Sequence, residues 1–131
     1  MASADLPLLA RRLLTAFSSA DLDSMRSILA EDMVSYVTNR DGGVDRLVGR
    51  EEYLSRILAM DLPQAQYSVS LTQPPVVVDD GRVLIMVEVR AAKSGRALHN
   101  FAAHLLRVID GRVAEWWMVD AKPAESDGFW S

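Results

Sequence analysis

The chain opens with apolar residues spaced three and four apart. Leu6, Leu9, Leu13 and Phe17, with Ala10 and Leu14 alongside, form one stripe, and that stripe predicts a helix. Ser3 or Asp5 can cap it, and Pro7 suits a first turn. Ser18-Ser19-Ala20 ends it. Asp21 is a good cap for a second, shorter helix whose buried face is Leu22, Met25, Ile28 and Leu29. Residues 35–38 are β-branched and aromatic and predict a strand, which runs into a loop at residues 39–43. A third helix begins near Gly49. Glu51 and Glu52 sit in its first turn, where the helix dipole favours acids, and Pro63 closes it.

Beyond Pro63 the period changes to two. Tyr67, Val69 and Leu71 alternate with Ser68, Ser70 and Thr72, as on a half-buried strand. Pro74-Pro75 interrupts, residues 76–78 are a valine run, and Asp80-Gly81 signals a hairpin. Three long strands follow, at residues 82–92, 97–109 and 112–119, joined by turns at Ser94-Gly95 and Asp110-Gly111. Residues 121–131 read as an irregular tail, with Phe129 and Trp130 near its end, placed to cover either a cavity mouth or a partner. The expected architecture is α+β. Three N-terminal helices back a strongly bent, conical antiparallel sheet, in a single domain over residues 1–131. The mouth of such a cone is a natural site for a ligand.

Composition narrows the chemistry. There are 131 residues, half of them hydrophobic, with 14 Lys plus Arg against 18 Asp plus Glu. The net charge of −4, with scattered basic residues, argues against nucleic acid as a partner. The absence of cysteine removes disulfides, thiolate metal sites and thiol nucleophiles. No apolar run approaches the roughly 20 residues of a membrane helix, and the N-terminus lacks the order of a secretion signal, so a cytoplasmic location is expected. The two histidines, His99 and His104, are five apart on one strand and face opposite ways, so no metal site is expected, nor any cofactor.

Strand alternation sorts the remaining candidates by face. If His104 points into the cone, so do Leu98, Asn100, Ala102 and Leu106, and on the preceding strand Val83, Ile85, Val87 and Val89. His104 is the leading candidate for proton transfer, because imidazole titrates near neutral pH. The competing reading is a core histidine held by a hydrogen bond. Asp120, at the end of the last strand, is the second candidate, as a base or as a partner that orients the imidazole; otherwise it caps the tail. Asn100, Trp116, Met118, Val37, Val87 and Leu106 are the expected substrate-binding wall. Two hairpin registers are open, with His104 opposite Trp116 or opposite Trp117. The first is favoured because it keeps Trp116, Met118 and Asp120 on the cone face. Tyr36 then faces out. Glu88 is expected to pair with Arg90 or Arg107 across the outer face.

Several segments carry a family resemblance. They are Ser-Ala-Asp-Leu-Asp-Ser-Met (19–25), Leu-Ala-Glu-Asp (29–32), Gly-Arg-Glu-Glu (49–52), Arg-Val-Ile-Asp-Gly-Arg-Val (107–113) and Glu-Trp-Trp-Met-Val-Asp (115–120). In this order they resemble the nuclear transport factor 2-like superfamily, nearest its polyketide-cyclase (SnoaL-like) and ketosteroid-isomerase-like branch. The resemblance implies the conical fold and a dimer through the outer sheet face. It also implies a range of functions from isomerases, cyclases, dehydratases and epoxide hydrolases to non-catalytic modules. The isomerase positions map onto Val37 for the base, Leu13 for the tyrosine donor and His104 for the acid donor. The first two are apolar here, which argues against that steroid mechanism. The acids and arginine of limonene epoxide hydrolases map near Met118 and Met86–Glu88, and that set is also absent.

Two functions follow. One is a cofactor-independent enzyme acting on a hydrophobic small molecule by acid–base chemistry at His104 and Asp120. The other is a non-catalytic module that binds an apolar ligand or dimerises. The outer face mixes large apolar and charged side chains, which suits a homodimer interface with a polar rim. Light scattering at micromolar concentration is expected to give about twice the 14.5 kDa chain mass; a monomer would contradict the dimer.

Overall fold

The computed structural model describes residues 5–130. It has four helices and a seven-stranded curved sheet. Helix α1 (Leu6–Ser18) buries Leu6, Ala10, Leu13, Leu14 and Phe17 along the predicted stripe. Its cap is Asp5, whose carboxylate accepts from the Leu8 backbone N–H at 3.1 Å. The other candidate cap, Ser3, lies outside the described residues. Helix α2 (Leu22–Ile28) is capped by Asp21, and Leu29 already opens β1 (Leu29–Thr38). After β2 (Val44–Val48) comes α3 (Arg50–Met60), which buries Tyr53, Leu54 and Ile57 and stops at Asp61 in the left-handed conformation. Among the described residues no helix is long and apolar enough to cross a membrane.

The strands β3 (Ser68–Leu71), β4 (Val76–Asp79), β5 (Arg82–Lys93), β6 (Arg96–Ile109) and β7 (Arg112–Asp120) complete the sheet. Its order is β2-β1-β7-β6-β5-β3, with β4 also paired to β5. Pairing is antiparallel except where β1 runs parallel to β7, so the sheet is mixed rather than wholly antiparallel. The chain leaves β1 through β2 and α3 and returns to the far side of the sheet. The later meander then folds back so that β7 lies beside β1.

The turns at Ser94-Gly95 and Asp110-Gly111 have positive φ at both central residues (51° and 74°, 53° and 77°). Such mirror-image turns match the strand twist, which is why Ser-Gly and Asp-Gly occur there. The two-residue turn pairs Ile109 with Arg112. One extra residue on β7, Ala114, bulges between the Val108–Val113 and Arg107–Glu115 pairs and shifts the ladder by one. His104 consequently sits opposite Met118, and Leu106 opposite Trp116, so neither expected register is the one adopted. The displacement from the favoured register is two residues. Period-two alternation is unchanged by a shift of two, so Trp116, Met118 and Asp120 remain on the same face as His104.

Two segments differ from expectation. Strand β2 is absent from the sequence reading because its residues are half-buried at most and follow a polar loop. The tail is not irregular: α4 (Pro123–Trp130) forms there, without an amphipathic stripe, and buries Phe129 against Ala65, Ala91 and Leu98. On the outer face Tyr36 stacks on Trp117 (centroids 5.2 Å, planes 6° apart). Glu88 pairs with Arg90 at 3.0 Å and with His99 at 2.6 Å, while Arg107 pairs instead with Glu115. Met86, Phe101 and Val119 on this face are exposed.

The core lies between α1, α3 and the inner sheet face. Ser35, beside Trp116 in the β1–β7 register, is buried there, and its hydroxyl has no hydrogen-bond partner among the described residues. A buried hydroxyl without a partner carries a desolvation cost and gives nothing back. Ser35→Ala is therefore expected to leave the urea midpoint unchanged or raise it; a loss of more than about 1 kcal/mol would show that the hydroxyl is bonded after all.

Candidate functional site

A cavity of about 260 Å³ opens between the C-terminal end of β7, the first half of β6, α3 and α4. Its floor and walls are apolar and aromatic: Phe17 from α1, Tyr53, Ile57 and Met60 from α3, Tyr67 and Val89, and Met118 from β7. Pro123, Ser126, Asp127 and Trp130 of α4 also line it, so the tail contributes to its own chain's cavity. The rim is polar. There Arg56 lies 3.6 Å from Asp45, and Arg40 of the β1–β2 loop lies 3.7 Å from Asp127 of α4. These pairs are long and half-exposed, and contribute little stability.

His104 stands in the cavity wall, and its setting is specific. The indole N–H of Trp116 donates to His104 Nδ1 at 2.8 Å. An indole N–H can only donate, so Nδ1 must carry the lone pair and the neutral ring carries its proton on Nε2. Among the described residues Nε2 makes no hydrogen bond, which leaves its N–H for a ligand. Trp116 is itself 1% exposed and packed against Tyr53 (4.8 Å between centroids) and Phe17 (6.4 Å). The imidazole is therefore held by a donor that has no room to move. Burial pushes the His104 pKa down to about 4, against an opposing pull from the Asp120 carboxylate. Protonation would also set two donors face to face. At physiological pH the ring is thus neutral, with its one N–H on Nε2.

Asp120 lies one strand away. Its register partner is Ala102, so on the shared face it is the diagonal neighbour of His104, a spacing of roughly 7–8 Å between Cα atoms. No hydrogen bond joins the two side chains, so a ligand can sit between them. Asp120 Oδ1 accepts from the backbone N–H of Lys122 at 2.8 Å and from the Asn100 amide. Its Oδ2 makes no hydrogen bond among the described residues. Asn100 is 2% exposed and fully committed. Its Nδ2 also serves Ser126 Oγ (2.7 Å) and the Lys122 carbonyl (3.3 Å), and its Oδ1 accepts from the Phe101 N–H (2.8 Å). Although it lines the cavity, its amide ties Asp120 to α4 and has little left for a ligand.

Of the other expected wall residues, Met118 and Val37 line the cavity. Trp116, Val87 and Leu106 do not. They lie in the core beneath, because α1 and α3 cover that end of the inner face and leave only the other end open. Trp116 acts on the cavity through His104. Leu13, at the position of the family's tyrosine donor, is buried core. The sequence reading treated Tyr53 and Tyr67 as ordinary members of a helix face and a strand face. Both line the cavity, and burial raises both hydroxyls above their usual pKa. Their aromatic periodicity was visible, but the polar use of their tips was not. Arg40, Asp45, Arg56 and Asp127 come from three separate elements, and no local pattern joins them. Among the described residues no group of three or more His, Asp or Glu side chains is arranged to hold a metal.

The His104 pKa has a consequence for stability. The folded value, about 4, lies below the ordinary 6.5, so between these values the unfolded chain binds more protons than the native one. The contribution is complete above pH 6.5 and is lost as pH falls towards 4, by up to about 3 kcal/mol. Urea unfolding at pH 7 and pH 4.5 should show a larger acid loss in the wild type than in His104→Gln, whose amide can accept from Trp116 without titrating. Equal losses would contradict the assignment.

Comparisons with known proteins agree with this fold. A protein of Mycobacterium tuberculosis described only as uncharacterized is 28% identical over 98% of this chain and 97% of its own. The structure is similar to that of Bal32a from a soil-derived mobile gene cassette (TM-score 0.81, 21% identity, 94% of each chain). It is also similar to an LEH-like epoxide hydrolase from M. tuberculosis (TM-score 0.73, 18% identity, 92% of this chain and 85% of that one). At these identities the solved structures speak to the fold alone. The model of the SnoaL-like domain matches residues 10–116, from the middle of α1 to the tryptophan that holds His104, and the chain belongs to that family.

Proposed function

We propose that this protein is a cofactor-independent enzyme that moves a proton next to the carbonyl of an apolar small molecule. The observation that carries the reading is the pairing of a fixed neutral donor, His104 Nε2–H, with an uncommitted carboxylate oxygen, Asp120 Oδ2, on one wall of an apolar cavity. The ligand's carbonyl oxygen accepts from Nε2–H. Asp120 takes a proton from the adjacent carbon, and the C–H electron pair becomes the enolate C=C bond as charge moves to the oxygen. Where the substrate carries a C=C bond beside that carbon, the enolate is a dienolate, and return of the proton from Asp120 to its far carbon completes an isomerisation. Attack of the enolate carbon on a second carbonyl in the same molecule, with the proton on Asp120 passing to the new alkoxide, completes a cyclisation. Neither outcome needs an oxidant or a metal. A donor aimed at developing oxyanion charge in a water-poor site is worth roughly 10²–10³ in rate, and a positioned base roughly 10²–10⁴. Here His104 acts as the electrophilic donor, and the carboxylate takes the proton-abstracting role that the sequence alone favoured for the imidazole.

The fastening of Asp120 Oδ1 to Asn100 and Lys122 favours a second reading. In it the carboxylate only anchors α4, and the domain binds an apolar ligand without turning it over. In either reading the exposed apolar residues of the outer sheet face seat a second copy of the chain.

Deuterium exchange at the α-carbon of 1-tetralone in D₂O, followed by NMR, separates the two. The enzyme reading expects catalysed exchange, a fall of roughly 10²–10⁴-fold in Asp120→Asn, and a fall of roughly 10²–10³-fold in His104→Ala. Asparagine keeps the acceptor for Asn100 and Lys122, so that variant should stay folded. Binding without exchange in the wild type would support the ligand-binding module instead.

A further inference from the structure

His104 and Asp120 account for one side of the cavity. On the other side two phenolic hydroxyls are left unserved by the protein. Tyr67 enters from the residue before β3, two strands from β6 in the sheet order, or roughly 10 Å across the sheet. Its ring packs between Phe17 (5.4 Å) and Trp130 (6.1 Å). Its hydroxyl makes no hydrogen bond among the described residues. Tyr53, 2% exposed, has only the thioether of Met118, at 3.8 Å, a weak acceptor. Each hydroxyl lies within electrostatic reach of the other, so the two mark one pole of the cavity.

Among the described residues the only side-chain hydroxyl both shut off from solvent and unpartnered is that of Ser35, so the Tyr67 hydroxyl opens onto the cavity, where a ligand oxygen can take its hydrogen bond in place of water. Both phenols are neutral, and the nearby Asp120 carboxylate disfavours a second anion, so that oxygen is a neutral one.

We propose that the Tyr67 hydroxyl is a second ligand-binding group, and that the ligand is an apolar carbonyl compound with a neutral hydroxyl, ether or keto oxygen at the end remote from the carbonyl held by His104. This rests on the function proposed above and adds to it the second pole of the substrate.

The test is calorimetric titration with 1-tetralone and its 5-, 6- and 7-hydroxy isomers. In the wild type at least one isomer should bind roughly three- to tenfold tighter than the parent, the worth of one net hydrogen bond. Tyr67→Phe should remove that advantage and melt no lower than the wild type, since no protein contact is lost. An advantage that persists in Tyr67→Phe, or no advantage for any isomer in the wild type, overturns the inference. Parent binding that His104→Ala leaves unchanged overturns the carbonyl-binding role of His104 while leaving any Tyr67-dependent gain standing. Failure of all four ketones to bind overturns both.

Discussion

The indole N–H of Trp116 can only donate, and the acceptor it meets is Nδ1 of His104, 2.8 Å away. Much of the cavity's chemistry follows from that contact. It fixes the tautomer, turns the ring's remaining proton towards the cavity, and makes protonation costly. Burial acts in the same direction and brings the imidazole pKa down to about 4. A histidine free in such a cavity would be an adaptable acid or base. Held this way it is a donor of fixed direction, and the enzyme reading proposed above therefore gives the proton-accepting role to the Asp120 carboxylate.

The rest of the fold packs around that contact. Trp116 is packed by Tyr53 from α3 and Phe17 from α1, so both helices bear directly on the residue that orients His104. Parallel pairing of β1 with β7 places Val37 beside Met118 at the cavity wall. Helix α4 supplies part of the cavity wall. It is held by Arg96 on the Gly128 carbonyl, by the Lys93 ammonium over Phe129 and Trp130, and by Asn100. The Asn100 amide meets Ser126 of α4 and Asp120 of β7 together, so the helix and the carboxylate are seated by one buried side chain.

Much of this was legible before any coordinates. Alternation along β5 and β6 separated Val83, Ile85, Val87 and Asn100 from Met86, Phe101 and His99 correctly, because a strand's side-chain period is two whatever its partner. The register was not legible. A one-residue bulge leaves no mark in the pattern of apolar positions, and the His104–Trp116 contact crosses strands along a diagonal that register reasoning does not reach. Helix α4 escaped because the segment 123–130 has no amphipathic stripe and is held by contacts distant in sequence. The charged rim escaped for the same reason. The face of each strand is a local property, whereas cavity depth, which sends Trp116, Val87 and Leu106 to the core and leaves Tyr67 at the wall, depends on where the helices lie.

The most direct test of the central claim is ¹⁵N NMR of the His104 ring across pH. The account predicts one tautomer at pH 7, with the proton on Nε2, Nδ1 hydrogen-bonded to the Trp116 indole N–H, and no titration until the pH falls well below 6.5. A ring protonated on Nδ1, or one that titrates near 6.5 as an exposed histidine does, would contradict it.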